Sequence, residues 1–156
     1  MNRLSFAALM LAPALALAAP TAMDVPQLGQ LTEALVADVP AGTEGNEGAP
    51  GFHQGDAITI MIRAAAKDAP ANMKAQKKEI EQMMFKSWTS SKQTPDGWVL
   101  TYVSKGMDMS GKVTTKYSFN VRRTIAGKAY DCYGAVNKKG DVDANVKICA
   151  SLRAKG

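Results

Sequence analysis

The chain has 156 residues, a formal net charge of +5, two cysteines and one histidine. With a single histidine, it offers neither the ligands of a zinc site nor the histidine base of a Ser/His/Asp or Cys/His constellation in a folded core. We therefore expect no enzymatic activity, no metal and no cofactor.

The first 18 residues have the pattern of a secretory signal peptide. A short positive region, Asn2-Arg3, precedes the apolar run 4–11, and Ala16-Leu17-Ala18 fits the small-x-small cleavage rule. The apolar run is too short for a membrane span and is followed by Pro13. The sequence thus predicts an exported protein, periplasmic or extracellular, with no transmembrane segment after cleavage.

Charge divides the rest of the chain into two segments. Residues 19–62 contain six acidic and no basic residues, whereas residues 63–156 contain 18 basic against 8 acidic residues. We predict an acidic, glycine-rich leader at 19–56 and a basic domain at 57–156. Within the leader, residues 28–40 fit either a short helix or a strand, with the strand favoured for 33–40, and residues 42–55 hold five glycines, which indicates a loop.

The basic domain begins with a predicted strand and a predicted long helix. The run 57–63 is rich in isoleucine and short enough for a buried strand. Asp68-Ala69-Pro70 then supplies an acidic cap and a first-turn proline. The predicted apolar stripe of this helix consists of Met73, Ile80, Met83, Met84 and Trp88.

Three further runs predict a meander of antiparallel strands. They are 98–103, 113–123 and 128–136, with turn signals at Pro95-Asp96-Gly97 and at Ala126-Gly127. The middle run alternates apolar and polar residues, so one of its faces is expected to be buried and the other wet.

A helix with a disulfide to the meander is expected at the C-terminus. Val142, Val146, Cys149 and Leu152 recur at helical spacing, which turns Cys149 toward the sheet. Because export places both cysteines in an oxidising compartment, we predict a Cys132–Cys149 bond. The expected fold is α+β, with four to five antiparallel strands covered by the long helix and the C-terminal helix.

The order of these elements resembles that of PsbP and Mog1-like domains. The resemblance rests on element order, on Val39-Pro40-Ala41-Gly42 at a strand exit and on Ile148-Cys149-Ala150-Ser151-Leu152 in the last helix. It implies a non-catalytic assembly or binding role and transfers no site residues. The chain departs from that pattern in one respect, since a wet sheet face predicts helices on only one side of the sheet.

The predicted wet face is the candidate binding surface. Its members are polar or basic residues on or near the middle strand: Lys116, Ser118, Asn120 and Arg122, widened by Lys105 and Lys128. Such a face is either ordinary solvated surface or a contact for an anionic surface, such as lipopolysaccharide or anionic lipid, or for an acidic protein. Nucleic acid is not an expected partner, since the aromatic residues occupy core-like positions.

Alternative functions depend on fewer residues. Met107 and Met109 flank Asp108 in a hairpin loop, and their thioethers suit a periplasmic Cu(I) carrier. An inhibitor or immunity protein of a secreted enzyme is a further version of the binding role. His53 lies alone in the glycine-rich segment and is expected to be merely exposed.

Overall fold

The computed structural model describes residues 19–27, 31, 33–108 and 110–156. The predicted signal peptide, 1–18, lies outside the described residues. In chain order the strands are β1 (Thr21–Asp24), β2 (Leu35–Val39), β3 (Glu44–Gly45), β4 (Gly51–Gln54), β5 (Ile58–Ala64), β6 (Phe85–Thr94), β7 (Gly97–Met107), β8 (Val113–Ile125), β9 (Lys128–Val136) and β10 (Arg153–Ala154). Helix α1 spans Met73–Glu81, and α2 spans Val142–Ser151 after a short 3₁₀ turn.

An antiparallel seven-stranded sheet forms the body of the protein. Its strand order is β3-β4-β5-β9-β8-β7-β6, so the sheet is larger than the four to five strands expected. The predicted meander is confirmed as β7, β8 and β9, and the predicted strands at 57–63 and 33–40 are confirmed as β5 and β2. The α+β class is likewise confirmed.

A second, three-stranded sheet, β1-β2-β10, lies on the other side of α2. The core between these layers joins Leu35 of β2, Phe52 of β4, Phe119 of β8 and Ile148 of α2, all nearly inaccessible to solvent. Residues on both sides of position 56 therefore contribute to one core. The predicted bond between Cys132 and Cys149 is present and ties β9 to α2.

The long helix predicted from Asp68 to Trp88 is wrong at both ends. Asn72, in extended conformation, is the N-cap of α1, and its Oδ1 accepts a hydrogen bond from Ala75 N at 2.9 Å. The helix ends at Glu81, and Trp88 lies in β6, which pairs with β7 across the Pro95-Asp96 turn. Serines and threonines dominate β6; they have low helix propensity and favour a paired strand.

The glycine-rich segment is partly strand, where a loop was expected. Gly51 begins β4 and pairs with Met61 of β5 at a φ of 152°. A Cβ atom at Gly51 would lie 2.0 Å from the carbonyl oxygen of Ile60, so only glycine allows the two strands to approach this closely. The next residue, Phe52, is buried in the core.

The two helices cover opposite faces of the main sheet, so the expectation of helices on one side only is wrong. On the α2 side, Phe119 and Val121 of β8 join the large core. On the α1 side, Ile80 packs with Trp98 and Leu100 of β7 in a smaller core. In the described part of the chain, neither helix has the length and apolarity needed to cross a membrane.

Acidic residues of the 19–56 segment pair with basic residues from later in the chain. Lys128 Nζ lies 2.8 Å from Glu33, Arg153 Nη2 lies 2.9 Å from Asp38, and Lys155 Nζ lies 2.6 Å from Asp24. These pairs are at least partly exposed, so each contributes roughly 1 kcal/mol or less. They bring the two oppositely charged segments together at the β1-β2-β10 sheet and the β8–β9 turn.

Candidate binding surface

The predicted wet face is not a surface. Ser118, Asn120 and Arg122 of β8 are 4%, 6% and 6% exposed, respectively, because α1 and the segment that precedes it pack on this side of the sheet. Their expected role as a solvated contact face is corrected accordingly. The alternation of β8 is real, but both of its faces are buried in this half of the strand.

Two buried polar side chains of β8 form hydrogen bonds with side chains of the adjacent strand β7. Ser118 shares a hydrogen bond of 2.8 Å with Ser104, and Asn120 Oδ1 accepts one of 3.2 Å from Trp98 Nε1. Hydrogen bonding offsets the desolvation of polar groups that are taken out of water. Both of these buried side chains of β8 therefore have a hydrogen-bond partner on β7.

Arg122 is held by three kinds of contact. Its guanidinium donates to both carboxylate oxygens of Asp131, at 2.5 and 3.1 Å, and to the carbonyl of Pro70 at 3.2 Å. It also lies 4.6 Å from the ring centroid of Trp98. Because Asp131 is 1% exposed, this bidentate pair neutralises a carboxylate inside the protein.

The other three predicted residues do not form one patch. Lys105 and Lys116 lie near the free end of the β7–β8 hairpin, and Lys116 Nζ donates to Asn137 Oδ1 at 2.5 Å. Lys128 lies at the opposite end of β8, beside the turn into β9 and paired with Glu33. The structure thus separates these residues into two distant sites.

The β7–β8 hairpin projects beyond the rest of the sheet. The strand pairing of β6 with β7 begins at Ser104, and that of β9 with β8 ends at Tyr117, whereas β7 and β8 stay paired as far as Met107 and Val113. Residues 105–116 therefore lack a neighbouring strand on either side. We call this segment the hairpin tip.

Exposed apolar side chains collect at the hairpin tip and beside it. Met107 and Val113, paired across the tip, are 64% and 56% exposed. Met83 and Met84 are 60% and 51% exposed, and the carbonyl of Met84 accepts a hydrogen bond from Lys105 N at 2.8 Å. These four residues are the large exposed hydrophobic side chains of the described chain.

Four lysines lie near these apolar residues, and hydrogen bonds to the Asp108 carboxylate stabilise the turn between β7 and β8. The nearby basic side chains are those of Lys86, Lys105, Lys112 and Lys116. Asp108 Oδ1 accepts hydrogen bonds from Ser110 Oγ at 2.6 Å and from the main-chain nitrogens of Ser110 and Lys112, both at 2.9 Å. The Ser110 hydroxyl bond is the main cause of a lowered pKa at Asp108, so this carboxylate stays charged.

Sequence reasoning assigned Met83 and Met84 to helix packing and so missed their exposure. The signal that identifies them is the serine and threonine content of the following residues, which ends the helix at Glu81. Met109, the second methionine of the predicted copper site, lies outside the described residues. The Cu(I) carrier stays a prediction.

His53 lies in β4 and has two polar neighbours. Its Nδ1 is 3.2 Å from Asn46 Oδ1, and its Nε2 is 3.5 Å from the largely exposed carboxylate of Glu44. Within the described residues, no group of three or more His, Cys, Asp or Glu side chains is arranged to hold a metal ion.

The comparisons with known proteins found no relative. No protein-family model, no curated protein and no solved structure matches this chain. The resemblance to PsbP and Mog1-like domains stays a prediction.

Proposed function

We propose that this protein is an exported, non-enzymatic binding protein that attaches to an anionic lipid surface through the hairpin tip together with Met83 and Met84. The observation that supports the proposal is the exposure of four large apolar side chains, by 51–64%, beside four lysines at one end of the sheet. This arrangement replaces the sheet face that the sequence predicted as the contact.

Both kinds of side chain suit the interface of a bilayer. Unbranched methionine adapts to an irregular apolar environment, and each buried methylene contributes about 0.8 kcal/mol. A lysine near an anionic membrane contributes about 1 kcal/mol, and its long stem lets the ammonium group stay at the level of the headgroups. The tip projects from the sheet, so it can reach such a surface without a change in the fold.

The proposed location agrees with the covalent structure. The Cys132–Cys149 disulfide is typical of proteins that fold in an oxidising compartment. The predicted signal peptide at residues 1–18 would deliver the chain there. The outer side of a cell membrane would then be within reach of the exported chain.

Vesicle sedimentation tests this proposal. The mature chain should sediment with vesicles of phosphatidylglycerol and stay in the supernatant with vesicles of phosphatidylcholine. Added salt should weaken the binding, because screening shortens the range of the lysine charges. Failure to sediment with phosphatidylglycerol at low salt would reject a lipid target, and the acidic protein partner would become the better candidate.

Matched variants separate the tip from general surface charge. Lys105→Gln/Lys112→Gln should weaken vesicle binding about 30-fold, as expected from the loss of about 2 kcal/mol. The control Lys67→Gln/Lys92→Gln removes the same charge from exposed positions elsewhere and should bind like the parent. Met107→Gln/Val113→Thr should weaken binding about tenfold at unchanged charge.

A further inference from the structure

A cavity of about 300 Å³ lies between α1 and the main sheet. Its walls come from α1, β5, β7, β8 and β9 and include Arg63, Gln76, Glu79, Ile80, Asn120 and Tyr133. A second cavity of about 390 Å³, under the segment that precedes α1, shares Arg63 and Glu79. Volumes of this size are at the lower end of those found for small-molecule sites.

The sheet side of the cavity carries uncompensated positive charge. Arg63 and Arg122 both face the single carboxylate of Asp131, at 3.7 and 2.5 Å. Arg122 occupies both carboxylate oxygens, whereas the Arg63 guanidinium makes no hydrogen bond to any residue that the structure describes. The Arg63 guanidinium lies 5.0 Å from the ring centroid of Tyr133 and is about half exposed, so its donors are available to a ligand.

Asn120 adds a second donor on the same side. It is 6% exposed, and its Oδ1 is occupied by Trp98 Nε1. Because the indole nitrogen can only donate, the remaining amide atom of Asn120 is Nδ2, a donor that no described residue accepts. Because Asn120 lines the cavity, a ligand acceptor can reach this amide group.

The helix side of the cavity supplies acceptors. Gln76 is 5% exposed, and its Nε2 donates to Glu79 Oε2 at 3.2 Å, which leaves Gln76 Oε1 as an acceptor. Glu79 shares the cavity with Arg63, yet the two form no ion pair within 4.0 Å among the described contacts. The cavity is therefore lined by one cation, Arg63, and one anion, Glu79, that do not pair with each other.

We propose that this cavity binds a small zwitterion with an apolar side chain, namely an apolar α-amino acid. Arg63 and Asn120 Nδ2 receive the carboxylate, and Glu79 and Gln76 Oε1 receive the ammonium group. The apolar side chain lies against Ile80. The planar fork of Arg63 suits a carboxylate, and opposite charges on the two walls select a ligand that carries both.

Titration by nuclear magnetic resonance with L-phenylalanine and two analogues tests the assignment. L-Phenylalanine should shift the amide resonances of Ile80 and Tyr133 in a saturable way. L-Phenylalaninamide, which lacks the carboxylate, and N-acetyl-L-phenylalanine, which lacks the ammonium group, should each bind at least about tenfold more weakly. No saturable shift at millimolar phenylalanine, or equal binding of the N-acetyl compound, would overturn the proposal.

Variants of the two charged walls complete the test. Arg63→Gln and Glu79→Gln should each weaken phenylalanine binding about tenfold or more, since both lose a hydrogen bond to a charged group. The controls Arg153→Gln and Glu47→Gln change an exposed arginine and an exposed glutamate elsewhere and should bind like the parent. Unchanged affinity in Arg63→Gln would also overturn the proposal, and vesicle binding should be unaffected in all four variants.

Discussion

Arg122 and Asp131 form a bidentate ion pair in the interior, with Nε and Nη2 of the arginine 2.5 and 3.1 Å from the two carboxylate oxygens. Both side chains are at least nine-tenths buried and lie on paired residues of β8 and β9. The pair lies under the segment that leads into α1, to which Arg122 also donates through the carbonyl of Pro70. It therefore links the central strands to the helix that covers them.

Removal of Arg122 should destabilise the protein strongly. Arg122→Met leaves the Asp131 carboxylate buried, with the longer contact to Arg63 as its one ion pair among the described residues, and should lower the free energy of unfolding by about 3–5 kcal/mol. Chemical denaturation monitored by circular dichroism measures the change. The control variant Lys116→Gln, at a partly exposed position farther along β8, should lower it by less than about 1 kcal/mol. An equal effect of both variants would contradict the buried-pair assignment.

The N-cap of α1 is Asn72, and its removal should weaken the helix. Asn72→Ala should cost about 1 kcal/mol of unfolding free energy, because Ala75 N loses its side-chain acceptor. Asp68→Ala, at the cap predicted from sequence, should change stability by less than about 0.5 kcal/mol, the usual range for a surface site. The denaturant midpoints of the two variants decide between the two helix starts. A larger loss of stability in Asp68→Ala than in Asn72→Ala would support the longer helix.

Gly51 should not tolerate a side chain. Gly51→Ala places a Cβ atom 2.0 Å from the Ile60 carbonyl oxygen and should destabilise the protein by more than about 1 kcal/mol. Gly140→Ala is the matched control, because its Cβ would meet no atom within 4 Å. Thermal unfolding of both variants gives the comparison. A Gly51→Ala protein as stable as the parent would mean that β4 and β5 are not paired this closely.

Stability should fall at high pH in part through Tyr102. Burial raises the pKa of Tyr102 above its ordinary value of 10.0, while a hydrogen bond with Ser118 opposes this. A raised pKa in the folded state means that the stabilisation is complete below pH 10 and is lost as the pH rises through the folded-state pKa. Denaturation of the parent and of Tyr102→Phe between pH 8 and 11 should show a steeper decline in the parent. Parallel curves would contradict the shift.

The strands of the meander were predictable because their signals are local. Period-two alternation in 113–123, the turn at Asp96-Gly97 and the glycine after Ala126 each act over a few residues, and β7, β8 and β9 lie where those signals place them. The disulfide was also predictable, since helical spacing turns Cys149 toward the strand that carries Cys132. The helix-like spacing of Met84 and Trp88 led to a wrong prediction. Trp88 lies in β6, and pairing with β7 decides the structure of that strand.

By itself, the sequence determined the α+β class, the central meander and the covalent link between β9 and α2. Only the tertiary structure decided that both faces of β8 are buried, because the alternation of polar and apolar residues on a strand is the same whether water or protein groups bond to the polar ones. It also decided that Met83, Met84, Met107 and Val113 gather at one end of the sheet. That grouping depends on strand register and on where α1 ends, and both are set by contacts between residues distant in sequence.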